Sequence, residues 1–167
     1  DDFDFVVFSS NEASVRSGVY FGKHFSVQND LTGIGKSIFN STASYASAGT
    51  LQGAIHLTST GGLIGGPSLH EFAHRWAAYL DDVSTGGHWG FAGGGGQLGG
   101  FEPGTLMDLG GGLFEVDGPR GTWFGTFANG GNALDFGALE LYLMGLIDAN
   151  EFKTLHGDGG DIEVPVN

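Results

Sequence analysis

The stretch that decides the reading of this chain is Ser68-Leu69-His70-Glu71-Phe72-Ala73-His74-Arg75-Trp76-Ala77-Ala78-Tyr79-Leu80-Asp81. Leu69, Phe72, Ala73, Trp76, Ala77 and Leu80 recur at helical spacing and outline one apolar face. That pattern predicts an amphipathic helix over residues 69–81. Pro67 suits a first helical position and Ser68 can cap. Residues 82–87 then end the helix. His70 and His74, four positions apart, would stand one above the other on a single face, with Glu71 beside the first.

His70-Glu71-Phe72-Ala73-His74 is thus an H-E-x-x-H sequence in the helical context that gives it chemical meaning. Two imidazoles so placed can share one ion at the roughly 2.0–2.1 Å of zinc–nitrogen bonds. Zinc acidifies a bound water toward a pKa of about 7. Glu71, adjacent without being a ligand, is placed to take that proton and return it to a leaving amine. A plainer reading exists. Ser68-x-x-Glu71 also fits a capping box, and two histidines on one face can be packed or solvated.

A catalytic zinc usually has three protein ligands and an open position. His88 is the preferred third ligand. It lies in Thr85-Gly86-Gly87-His88-Trp89-Gly90, where the glycines allow a sharp return and Trp89 can anchor the loop. The alternatives are Glu140, Asp108, Asp81 and Asp82. Glu140 sits among leucines, so its charge needs a partner, either the metal or the outer proton of a ligating histidine. His24, His56 and His156 stand isolated in the sequence.

Outward from this helix, residues 3–8, 19–27 and 51–59 are rich in β-formers and read as strands. Residues 37–50 are small and polar and read as loop. Residues 90–104 form a glycine-rich loop with no Gly-Lys-Ser/Thr to make it a phosphate loop. Residues 105–108 read as a turn, 114–127 as one or two short strands, and 134–146 as a second helix. Gly157-Asp158-Gly159-Gly160-Asp161 is either a Ca²⁺ cradle or a solvated acidic turn. The expected architecture is α+β: a small twisted mixed sheet packed on the active-site helix, with a Gly-rich, loop-dominated C-terminal half. One catalytic domain over 1–167 is expected, with subdomains 1–81 and 82–167.

Composition narrows the functions. The chain has 167 residues and a formal charge of −13, with 6 Lys+Arg against 19 Asp+Glu. A polyanionic nucleic-acid partner would be repelled. No apolar run approaches the roughly 20 residues of a membrane span. Without cysteine there is no disulfide, thiolate metal site or cysteine nucleophile. The start at Asp1 suggests an excised domain or processed product, and oligomeric state is open.

At His70 to His74 the chain resembles the zincin metallopeptidases. Thr105-Leu106-Met107-Asp108 looks like the Met-turn of metzincins, in which Met107 would support the metal from below; an ordinary core methionine is the alternative. The zincin layout also implies that residues 51–59 form the edge strand lining the cleft. The departures are Ala77 and Leu80, where metzincins have Gly and a third ligand, and Leu109 in place of a tyrosine. Further segments are similar to an uncharacterised group of bacterial exported zincin-like proteins: Val27-Gln28-Asn29-Asp30, Gly33-Ile34-Gly35, Leu51-Gln52-Gly53, His88-Trp89-Gly90 and residues 139–146. The resemblance implies a secreted zinc peptidase acting on a protein or peptide substrate. Tyr142 or Tyr79 is a candidate oxyanion donor. A zinc-stabilised binding or surface-structural module, with His88 and Glu140 both on the metal, is the competing reading. Amidase or deacylase action at the same site is a third.

Overall fold

The computed structural model describes residues 2–10, 21–64, 66–117, 124–125, 134–157 and 159–165. The chain divides into two compact units, Asp1–Arg75 and Trp76–Asn167, so the division falls directly after the H-E-x-x-H turn.

In the first unit, β1 (Phe5–Ser9), β5 (Gly53–Leu57) and β2 (Gly22–Ser26) form a mixed sheet in the order β1-β5-β2. β1 runs parallel to β5, with Val7 opposite Ile55. β2 runs antiparallel to it, with His24 opposite Ile55. Residues 51–59, expected at the edge, are therefore the centre of the sheet. Ile55 and Leu57 are fully buried and Ala54 nearly so, the near-continuous apolar run of a strand covered on both faces. β2 is an edge. Its Lys23 and Phe25 point outward, while Gly22, His24 and Ser26 turn inward.

α1 (Pro67–Ala73) packs against β2 and β5. Phe72 meets Phe5 edge-to-face with ring centroids 5.0 Å apart. The helix is shorter than the apolar spacing predicts, and its faces differ. Leu69 is 46% exposed, whereas His70, Glu71 and Ala73 are buried. The N-cap is Gly66 at φ 107, with Pro67 at the first helical position. Ser68 is therefore inside the helix, and the Ser68–Glu71 capping box does not form.

What ends α1 is Arg75. Its N–H turns back to the Phe72 carbonyl at 3.0 Å. Its guanidinium, 3% exposed, donates to Asn29 Oδ1 at 2.8 Å, Asp30 Oδ1 at 2.9 Å and Gln52 Oε1 at 2.8 Å. The Asn29 amide in turn donates to the carbonyls of Leu31, Lys36 and Ser37. This folds the loop that leads from β3 (Gln28–Asn29) to β4 (Phe39–Asn40) and so brings a short antiparallel pair into the region expected to be loop alone.

The second unit holds an antiparallel hairpin, β6 (Leu106–Gly110) with β7 (Leu113–Val116), and two helices, α2 (Ala138–Leu143) and α3 (Ala149–His156). Residues 105–108, expected as a turn, lie mostly in β6, and the turn falls at Gly110, Gly111 and Gly112, all at positive φ. α2 covers only part of the predicted 134–146. α3 was not predicted, although Asp148 caps it by accepting from the N–H groups of Asn150 and Glu151. The unit's core is built on Trp89, Leu98 and Phe101, each fully buried. Gly94 leaves room for the Trp89 ring: a Cβ there would stand 2.4 Å from the indole Cγ. Among the described residues no helix is long and apolar enough to cross a membrane.

Candidate metal centre

His70 is buried on α1. His74 is the residue that closes the helix, still in the helical region at φ −60, ψ −8. One-turn spacing therefore survives although the helix stops there, and the two rings meet with centroids 4.9 Å apart.

His88 sits at the foot of a tight reversal. Thr85 and His88 exchange backbone hydrogen bonds, 2.7 Å from the Thr85 N–H and 3.1 Å from the His88 N–H. Gly86 and Gly87 between them have φ 60 and φ 83. Two consecutive positive-φ residues are what a two-residue type I′ reversal demands. The next residue, Trp89, is fully buried. Burial holds His88 below the usual imidazole pKa, opposed by the Gly86 backbone, so it is neutral and suited to ligation at pH 7.

One ligand nitrogen from each of His70, His74 and His88 lies within 4.8 Å of the other two. Among the described residues this is the one group of three or more His, Asp or Glu set to hold a metal. A set of three imidazoles can hold a divalent metal such as Zn²⁺.

Glu71 is 6% exposed. Burial raises its carboxyl to about 7, partly offset by the backbone N–H of His24. A carboxylate tuned to that range is matched to proton transfer near neutrality. Three imidazoles with a buried Glu beside the first form a potential metal-binding triad consistent with hydrolysis by a metal-activated water.

The other sequence candidates have different occupations. Glu140 is fully buried. It accepts from the Trp89 indole at 3.2 Å and from the backbone N–H groups of Gln97, Leu98 and Gly137 at 3.0, 2.7 and 3.0 Å. These four donors are its partners, and it ties the Gly-rich loop to the start of α2. Burial still raises its pKa. Asp108 is exposed on β6 and accepts from the Gly110 N–H at 2.7 Å, serving the hairpin turn. Met107, in the same extended strand, is 43% exposed. The segment is thus not a Met-turn, because strand pairing with Glu115 carries this methionine to the surface. Tyr142 stacks on Phe152 at 5.2 Å, packing α2 on α3. Asp81 and Asp82 are exposed. His56 is bonded to Ser10 Oγ at 3.1 Å, and His156 to the Gly93 carbonyl at 2.9 Å. Asp158, central to the Ca²⁺ alternative, lies outside the described residues.

Two features escaped sequence reasoning. Arg75, one of 6 basic residues, locks the end of the motif helix to Asn29, Asp30 and Gln52. These belong to the segments picked out above as similar to the exported zincin-like group. Their long separation in sequence hid the connection. The other is the packing of β2, itself read as a strand, against the Glu71 side chain at Gly22.

Comparison of the chain with protein-family models, with curated proteins and with solved structures finds no match.

Proposed function

We propose that this protein is a zinc-dependent peptidase of zincin type, with His70, His74 and His88 holding the metal and Glu71 moving the proton. The observation that carries this reading is the convergence of the three ligand nitrogens within 4.8 Å, with a buried carboxyl on the residue next to His70. When bound, zinc supplies Lewis acidity, acidifying a water and polarising a carbonyl. Glu71 takes the proton released on attack at the peptide carbon and delivers it to the departing amine nitrogen. Burial of Glu71 keeps its proton affinity high enough to do both near pH 7.

Peptide as the substrate is supported by a cavity of about 490 Å³ in the second unit. Its walls include Val83, Phe91, Phe114 and Phe124, and also Thr85 and Trp89, which flank the His88 turn. Such a cavity suits a large apolar side chain. The competing reading, a closed structural site with Glu140 as fourth ligand, is opposed by the four hydrogen bonds that occupy that carboxylate. A secreted location is part of the proposal and rests on the resemblance to exported proteins.

The test is cleavage of a mixed peptide library by the zinc-loaded protein, with Glu71→Ala beside it. Hydrolysis at amide bonds that disappears in the variant supports the proposal. Equal cleavage by the variant removes Glu71 from the mechanism.

A further inference from the structure

Glu71 lies with its side chain on the backbone of the edge strand β2. At Gly22 a methyl group would stand 2.7 Å from Glu71 Cγ and 2.8 Å from Oε1, inside the distance that carbon and oxygen tolerate. Two residues along, the backbone N–H of His24 faces the Glu71 carboxylate. Both nitrogens of the His24 ring are sealed from solvent. A second glycine makes this possible, since a Cβ on Gly53 would stand 2.5 Å from His24 Nε2. One strand thus lies against the Glu71 side chain at Gly22 and at the His24 backbone.

The backbone does not require the glycine at 22. Gly22 pairs with Leu57 in ordinary antiparallel register and is not among the residues at positive φ, so any L-residue could take its conformation. What a side chain there would meet first is Glu71: all three atoms nearest to the added carbon belong to it.

We propose that Gly22 and the backbone N–H of His24 form a cradle on β2 that fixes the Glu71 carboxylate, which makes both positioning residues for the proposed reaction. The inference rests on the reading of Glu71 as the proton-transfer group. Its force comes from geometry. An unrestrained glutamate explores many rotamers, and a misplacement of about 1 Å at a reacting group costs on the order of 100-fold in rate. Relieving a 2.7 Å contact to van der Waals distance requires a displacement of about that size.

The test is Gly22→Ala, read in two ways. In zinc-free protein the substitution should lower Tm by about 2–4 °C, the shift of a modest local clash in a chain of this size. In a Glu71→Ala background the same substitution should lower it not at all, because the obstructing side chain is gone. In the zinc-loaded protein, on a peptide that the unaltered protein cleaves, Gly22→Ala should reduce kcat about 100-fold. KM and zinc affinity should stay within about twofold, since neither His70 nor His74 is touched. Equal Tm shifts in the two backgrounds, or an unchanged kcat, would overturn the cradle. Glu71→Gln with undiminished turnover would instead remove Glu71 from the mechanism, and the positioning role with it, even if the melting cycle showed the contact.

Discussion

Zinc-free protein should carry a pH signature that comes from Glu71 and His24 pulling in opposite directions. Burial raises the Glu71 carboxyl from 4.5 to about 7. Burial, and then Lys36, lowers His24 from 6.5 to about 4, opposed by the Glu71 backbone. A raised carboxyl binds its proton more tightly when folded, so its contribution is present below pH 4.5 and is lost as pH rises through about 7. The loss is about 3 kcal/mol at 1.36 kcal/mol per pKa unit. A depressed histidine does the reverse: its contribution is present above 6.5 and is lost as pH falls toward 4. The His24 ring nitrogens are sealed from solvent, so its share is of similar size, about 3 kcal/mol at 1.36 kcal/mol per pKa unit. Between about pH 4.5 and 6.5 the two slopes largely cancel, and Glu71→Gln removes only the falling one. The difference in unfolding free energy, variant minus unaltered protein, should therefore climb by about 3 kcal/mol from pH 4.5 to 7 and then level off. Urea unfolding in a metal chelator at intervals from pH 4 to 8 measures it, and every group common to both proteins drops out of the difference. A flat difference curve would refute the claim that the folded chain presses a proton onto Glu71.

Arg75→Ala should destabilise the first unit by about 3 kcal/mol, because it leaves the buried Asn29 and half-buried Gln52 acceptors without this donor. The expected fall in Tm is about 6–12 °C by thermal melt, and Arg75→Lys should not restore it, since a single ammonium cannot reproduce the forked donor set. Glu140→Gln should lower the melting temperature by placing an NH₂ against N–H donors, yet leave zinc stoichiometry unchanged. A loss of bound zinc in the folded variant would return Glu140 to the list of ligands.

The parts of the site that are local in sequence could be read there. One-turn spacing fixes His70 and His74, and Gly86-Gly87 determines the reversal that presents His88. The parts that depend on distant partners could not. Residues 51–59 look like any short apolar strand until β1 and β2 flank them. Helix periodicity overran α1 because nothing near Arg75 in the sequence reveals that Asn29, Asp30 and Gln52 will capture it. Glu140 is recognisable as a buried charge needing a partner, but the donors come from Trp89 and the loop at Gln97 and Leu98. α3 is a different kind of miss, since Asp148 and Gly157 mark its ends locally. The Met-turn expectation for Met107 comes from likeness alone, whereas the glycines at 110–112 signal a hairpin turn.

Zinc content tests the central claim most directly. Protein purified without chelator, supplied with zinc and dialysed, should carry one zinc per chain by elemental analysis. His88→Ala should fold normally and weaken that binding about 100-fold or more by titration calorimetry, because it reduces a three-imidazole set to two. No retained zinc in the unaltered protein, or equal affinity with and without the His88 imidazole, would contradict the account.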